Sequence, residues 1–146
     1  MTERVPGSAN VRILICDDYA PMRALLRLII EERADFTVVG EASGGDQAIA
    51  EAARLQPDVV LLDLAMPRKT GLAALREMAR VAPAARVVIF SGFSSASLGA
   101  ELIALGAVSY LQKGASPEAI ADAIEHAAAT APASPLAVAP GTPDGN

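Results

Sequence analysis

The chain has 146 residues, 52% hydrophobic and 20% charged, with a formal net charge of −5, which suits one globular domain with a core of its own. The acidic balance argues against a nucleic-acid binder, which would carry a basic face. No run approaches the roughly eighteen apolar residues of a membrane span, and residues 1–10 lack the apolar centre of a signal peptide, so a cytoplasmic location is the default expectation.

Residues 1–10 read as a flexible N-terminus, and VRILIC (11–16) as a short aliphatic strand that runs into Asp17-Asp18. From Pro21, the residues Met22, Leu25, Leu26 and Ile29 recur at helical spacing and predict a buried stripe. Proline suits the first turn of that helix. FTVVGEA (36–42) predicts a second strand, Ser43-Gly44-Gly45 a turn, and Asp46 to Leu55 an Ala-rich helix. DVVLL (58–62) predicts the third strand, ending at Asp63. Thr70 is the expected cap of a helix carrying Leu72, Leu75 and Met78, which stops before Pro83. RVVIF (86–90) is the fourth strand, and Ser91 to Ser95 a polar loop. A helix with Leu98, Leu102 and Leu105 ends at Gly106, VSYL (108–111) is the fifth strand, and Ser116-Pro117 opens a last helix with Ile120, Ala123, Ile124 and Ala127 on one face. From about Ala127 alanine and proline dominate, with four prolines in the last fifteen residues, so 129–146 is expected to be a disordered tail.

Strands separated by helices require crossover connections, hence a parallel sheet covered on both faces. That accounts for VVLL and VVIF, apolar at consecutive positions. Right-handed crossovers leave few topologies, and the expected one is the flavodoxin-like α/β fold: a single domain with a doubly wound five-stranded sheet in the order 2-1-3-4-5. Ligands of such sheets bind beyond the carboxyl ends of the strands.

Those ends carry Asp17-Asp18, Asp63, Ser91 and Lys113. Each alone reads equally well as a turn former, a helix cap or a solvated lysine, but four strand ends together point to a site. Three carboxylates raise one another's pKa unless a counter-charge is present. A hard divalent cation such as Mg²⁺ resolves this, taking one or two carboxylates and keeping water or phosphate oxygens for the rest. A metal among carboxylates beside a lysine and a hydroxyl suits a phosphoryl group, and a carboxylate can itself become an acyl phosphate. Asp63, on the middle strand, is the candidate nucleophile. The lone Cys16 rules out an internal disulfide and reads as a small buried hydrophobe, and the lone His126 as a bland surface residue.

VRILICDDYAPMRALL, PDVVLLDLAMPRKTGL, VVIFSGF and GAVSYLQKGAS together resemble the receiver domain of bacterial two-component response regulators, over residues 11–128. VVGEASGGDQAI and GAVSYLQKGASPEAI are most similar to receivers of the LuxR-type DNA-binding class. The resemblance implies a signalling domain, not an enzyme acting on other molecules. A sensor histidine kinase would donate a phosphoryl group to Asp63, with self-catalysed phosphorylation and dephosphorylation only. It implies that Asp18 ligates Mg²⁺ directly and Asp17 through water, with Asp63 and the backbone carbonyl of Ala65 completing the set. Ser91 and Lys113 would hold the phosphoryl oxygens, and Ser91 and Tyr110 would form the switch, where residue type alone would make Tyr110 ordinary packing.

LuxR-type regulators also carry a helix-turn-helix domain, and no recognition helix or basic stripe follows residue 130. The expectation is therefore a stand-alone receiver without direct nucleic-acid or membrane contact, whose output passes to a downstream protein. The face of the fourth helix, fifth strand and fifth helix, where family members dock partners or dimerise on phosphorylation, offers Leu98, Glu101, Leu102, Tyr110, Ala119 and Asp122. The alternative is a phosphate sink or a kinase-bound adaptor without output. A haloacid-dehalogenase-type phosphatase would need a second acid two positions after Asp63, where this chain has Ala65.

Overall fold

The computed structural model describes residues 10–66, 71–92, 103–104 and 106–130. Strands β1 (Val11–Cys16), β2 (Phe36–Ala42), β3 (Val59–Leu62), β4 (Arg86–Ser91) and β5 (Ser109–Gln112) form one parallel sheet in the order β2-β1-β3-β4-β5. This is the flavodoxin-like arrangement expected. Helices α1 (Ala20–Glu31), α2 (Gly45–Leu55) and α3 (Gly71–Val81) intervene, and a C-terminal helix (Pro117–Ala129) closes the described fold. Among the described residues no helix is long and apolar enough to cross a membrane.

The strand period of two divides the core into two layers. Ile13, Ile15, Val59, Leu61, Val88 and Phe90 pack with Leu26, Ile30, Ile120 and Ile124 of α1 and the C-terminal helix. Leu14, Cys16, Val60, Leu62, Val87 and Ile89 pack on the other face with Ala48, Ala52, Leu75 and Met78 of α2 and α3. Every residue of β3 is buried, which is why VVLL shows no alternation.

Several local expectations shift. Leu25, placed on the buried stripe of α1 by its spacing, is 49% exposed, whereas Leu26 and Ile30 are buried. The inner stripe is Met22, Leu26, Ile29 and Ile30, because the helix lies against Ile13 and Ile15 through that edge. Asp58 precedes β3 rather than belonging to it, and its carboxylate accepts the Arg12 N–H at 2.9 Å. Ser91 is the last residue of β4, paired with Gln112, not the first of a loop. β5 starts at Ser109, and Val108 just before it donates its N–H to the Val87 carbonyl. Ser116 caps the C-terminal helix as expected, its hydroxyl accepting the Ala119 N–H at 3.1 Å. That helix runs through Ala129, one residue past the expected boundary at 128. Arg86 holds its end by donating to the carbonyls of Ala127 and Ala128, groups a helix terminus otherwise leaves unpaired. The Thr70 cap, the loop beyond Gly92, Leu98, Glu101, Leu102, Leu105, residues 1–9 and residues 131–146 lie outside the described residues.

Candidate functional site

β1, β3 and β4 are neighbours with parallel direction, so their last residues share one edge. The backbone locks this alignment: Asp63 N–H donates to the Cys16 carbonyl at 2.9 Å and Asp17 N–H to the Ala42 carbonyl at 3.0 Å. Lys113 N–H donates to the Ser91 carbonyl at 2.6 Å, drawing the residue after β5 to the end of β4.

Asp17 and Asp63 are 1% and 2% exposed, whereas Asp18 is exposed. Lys113 Nζ lies between the two buried acids, donating to Asp63 Oδ2 at 3.2 Å. It stands 2.9 Å from Asp17 Oδ2 but off the direction of a hydrogen bond, so that oxygen is held by charge alone. The remaining oxygens are fixed by the backbone that follows each acid. Tyr19 N–H donates to Asp17 Oδ1 at 2.9 Å, and Ala65 N–H to Asp63 Oδ1 at 3.1 Å. Both are short loops in which the acid caps the second residue after it.

Burial, joined by the charge of Asp17, raises the Asp63 pKa above the ordinary carboxylate value, against the opposing pull of the Ala65 N–H and Lys113. For Lys113 burial is the largest single influence and disfavours the charge, yet the contacts with Asp17 and Asp63 together outweigh it and raise the pKa. The ammonium therefore stays charged at neutral pH.

Carboxylate oxygens of Asp17, Asp18 and Asp63 all lie within 4.8 Å of one another. Among the described residues three carboxylates face a single ammonium, and Asp17 Oδ2 lacks a hydrogen bond. Both observations suit a hard divalent cation with oxygen ligands, so the donor set fits Mg²⁺.

The edge thus collects Asp17, Asp18, Asp63, Ser91 and Lys113, as the topology requires. Ser91 is fully buried at the end of β4. Tyr110 stands opposite Ile89 on β5 and is partly buried against the layer of α2 and α3. Ala65 is exposed beside Asp63. Cys16 is buried, and burial, then Asp17 and Glu51, push its thiol pKa up, which leaves it a packing residue. His126 is exposed in the last turn of the C-terminal helix and takes no part in the acidic cluster.

The sequence reading missed one feature at this edge. Arg23 of α1 donates to the Asp17 carbonyl at 2.7 Å and to Glu41 Oε1 at 2.9 Å. Arg27, one turn on, holds the other oxygen of Glu41. The available signal was two arginines four apart in the helix after an acidic pair, facing an acid near the end of the neighbouring strand.

The profile of the response regulator receiver domain matches residues 13–125. The uncharacterized transcriptional regulatory protein YxjL of Bacillus subtilis (strain 168) is 38% identical over 119 residues, which cover 82% of this chain and 55% of YxjL. The chemotaxis protein CheY of Thermotoga maritima is 34% identical over 113 residues, covering 77% of this chain and 93% of CheY. The chain thus spans about half the length of the first relative and nearly all of the second. The crystal structure of a LuxR-family two-component response regulator from Aurantimonas sp. SI85-9A1 superposes with a TM-score of 0.80 at 31% identity, covering 88% of this chain and 92% of that one. Receiver domains are signalling domains, bind Mg²⁺ at an acidic pocket, and interact with histidine kinases and downstream effectors. With the strand order, the acidic edge and the profile match in agreement, the chain belongs to the receiver-domain family of two-component response regulators.

Proposed function

We propose that Asp63 is the phosphoacceptor of this receiver, modified by a histidine kinase in a Mg²⁺-dependent reaction. The observation that carries the reading is a buried carboxylate at the end of the central strand, pinned by the Ala65 N–H and bridged by Lys113 to a second buried acid.

An oxygen of Asp63 attacks phosphorus, the bond from phosphorus to the donor nitrogen breaks, and an acyl phosphate forms. The leaving imidazole keeps the electron pair of the broken bond. A carboxylate of raised pKa is the better nucleophile once ionised, and Lys113 and the Ala65 N–H favour its ionised form against burial. Lys113 then exchanges its bond to Asp63 Oδ2 for the phosphoryl oxygens, with the Ser91 hydroxyl as a further donor. Asp18 directly, Asp17 through water, Asp63 and the Ala65 carbonyl would hold the ion. Bound there, Mg²⁺ would neutralise the negative charge that otherwise keeps acid and phosphoryl group apart.

Output follows from a two-state equilibrium biased by the phosphoryl group, with Ser91 and Tyr110 as the moving pair. Tyr110 and Ala119 are partly buried and Asp122 exposed, which gives the proposed docking face for a downstream protein or a second copy its described members. The receiver unit occupies 11–128, its last helix running one residue further, and works in the cytoplasm.

The test is incubation with a small-molecule phosphodonor and Mg²⁺, followed by intact-mass measurement. The expected product carries one base-labile phosphoryl group, absent without Mg²⁺ and absent in Asp63→Asn. Equal modification of Asp63→Asn would remove Asp63 from the mechanism.

A further inference from the structure

Asp18 is exposed, and its carboxylate has no hydrogen-bond partner among the described residues, unlike Asp17 and Asp63, whose oxygens are held by neighbouring N–H groups. The Asp18 backbone is joined to that of Asp17 by one peptide unit. The carbonyl of that unit accepts a 2.7 Å bond from Arg23 NH1. The same guanidinium donates through Nε to Glu41 Oε1 at 2.9 Å. Glu41 in turn is gripped on its second oxygen by Arg27 at 2.8 Å. Burial works against the Glu41 charge, but the bonds from Arg27 and Arg23 outweigh it and lower its pKa, so the anchor stays ionised. Arg23 is only 19% exposed, which favours a fixed fork over a solvated, wandering side chain.

We propose that Arg23, anchored on Glu41, is a positioning residue that holds the Asp17–Asp18 peptide so that Asp18 points to the divalent cation. This rests on the reading of Asp17, Asp18 and Asp63 as the cation-binding acids. Groups that fix metal ligands from behind set affinity, commonly by 10- to 100-fold.

Charge alone predicts the opposite sign. Arg23 is a cation beside a cation site, so removing its charge should tighten Mg²⁺ binding if orientation were immaterial. The sign of the effect therefore separates the two accounts.

The experiment is calorimetric titration of the unphosphorylated 146-residue chain with Mg²⁺, with circular dichroism as a check of fold. Arg23→Met is expected to raise the Mg²⁺ dissociation constant by about ten-fold. Arg23→Lys, which can reach the carbonyl or Glu41 but not fork between them, should fall between that and wild type. In an Asp18→Asn background, Arg23→Met should add less than about a two-fold change, because the two residues act through one peptide. Binding in Arg23→Met equal to or tighter than wild type overturns the proposal, as does an undiminished effect in the Asp18→Asn background. If Arg23→Met does not fold, Arg23→Lys carries the same comparison alone and in that background. A different result refutes the site itself: Asp18→Asn and Asp63→Asn both binding Mg²⁺ as tightly as wild type.

Discussion

Replacing Lys113 with Met removes the ammonium but keeps a stem of similar length, so the substitution isolates charge. In the wild type Nζ stands 2.9 Å from Asp17 Oδ2 and 3.2 Å from Asp63 Oδ2, and these acids are 1% and 2% exposed. Breaking a buried pair by removing one partner costs about 3–5 kcal/mol, because the remaining charge has neither water nor counter-ion. Lys113 itself is 24% exposed, and Asp63 with its raised pKa can take up a proton, so the expected loss is about 2–4 kcal/mol at pH 7 without metal. With an m-value near 2 kcal/mol/M this lowers the urea midpoint by roughly 1–2 M. The pH dependence has a definite sign. The raised pKa of Lys113 means its stabilising contribution is complete below the ordinary lysine range and is lost as pH rises through its folded value. In the variant Asp63 loses the opposing pull of Lys113 and binds a proton more readily, so the deficit also shrinks as pH falls through its raised value. The gap between the two proteins is therefore widest between these limits, and saturating Mg²⁺ narrows it by supplying a counter-charge. Urea titrations at pH 4 and pH 7, with EDTA or with Mg²⁺, measure all three effects. A gap of equal size at both pH values would assign the loss to packing of the stem and refute the electrostatic reasoning.

Asp63→Asn should stabilise the apo protein, and more so at higher pH. A folded-state pKa above the unfolded one makes stability fall as pH rises through it, and the amide lifts that penalty; denaturant melts from pH 4 to pH 8 check the trend. The rate of phosphorylation by a small donor should rise with pH through the raised pKa of Asp63 and then level off, which stopped-time mass measurements across that range would read. Arg86→Leu strips charged donors from the carbonyls of Ala84, Ala127 and Ala128, at a cost of about 1.5–3 kcal/mol. Hydrogen exchange should quicken first in the last turn of the C-terminal helix, and unchanged protection there would contradict the clamp. Met78→Ala empties a fully buried position between α3 and the sheet and should cost about 2–5 kcal/mol in the same melts.

The strand order was legible because alternating short aliphatic runs and helical stripes admit few right-handed parallel topologies. The acidic edge was legible for the same reason, since parallel strands bring their carboxyl ends together wherever they lie in the chain. Hence Asp17, Asp18, Asp63, Ser91 and Lys113 could be named from spacing alone. Periodicity was a poorer guide to which side of α1 faces inward. Met22, Leu25, Leu26, Leu28, Ile29 and Ile30 crowd that helix with apolar residues, and only docking on Ile13 and Ile15 left Leu25 and Leu28 outside. Bonds between side chains and distant carbonyls left no pattern along the chain. Arg23 reaches the Asp17 carbonyl, and Arg86 reaches Ala127 across 41 positions. A carbonyl is present at every residue, so the sequence cannot mark which one a guanidinium meets. That choice is made only when the elements pack, and packing also gives Asp63 its raised pKa, through burial that its residue type does not encode.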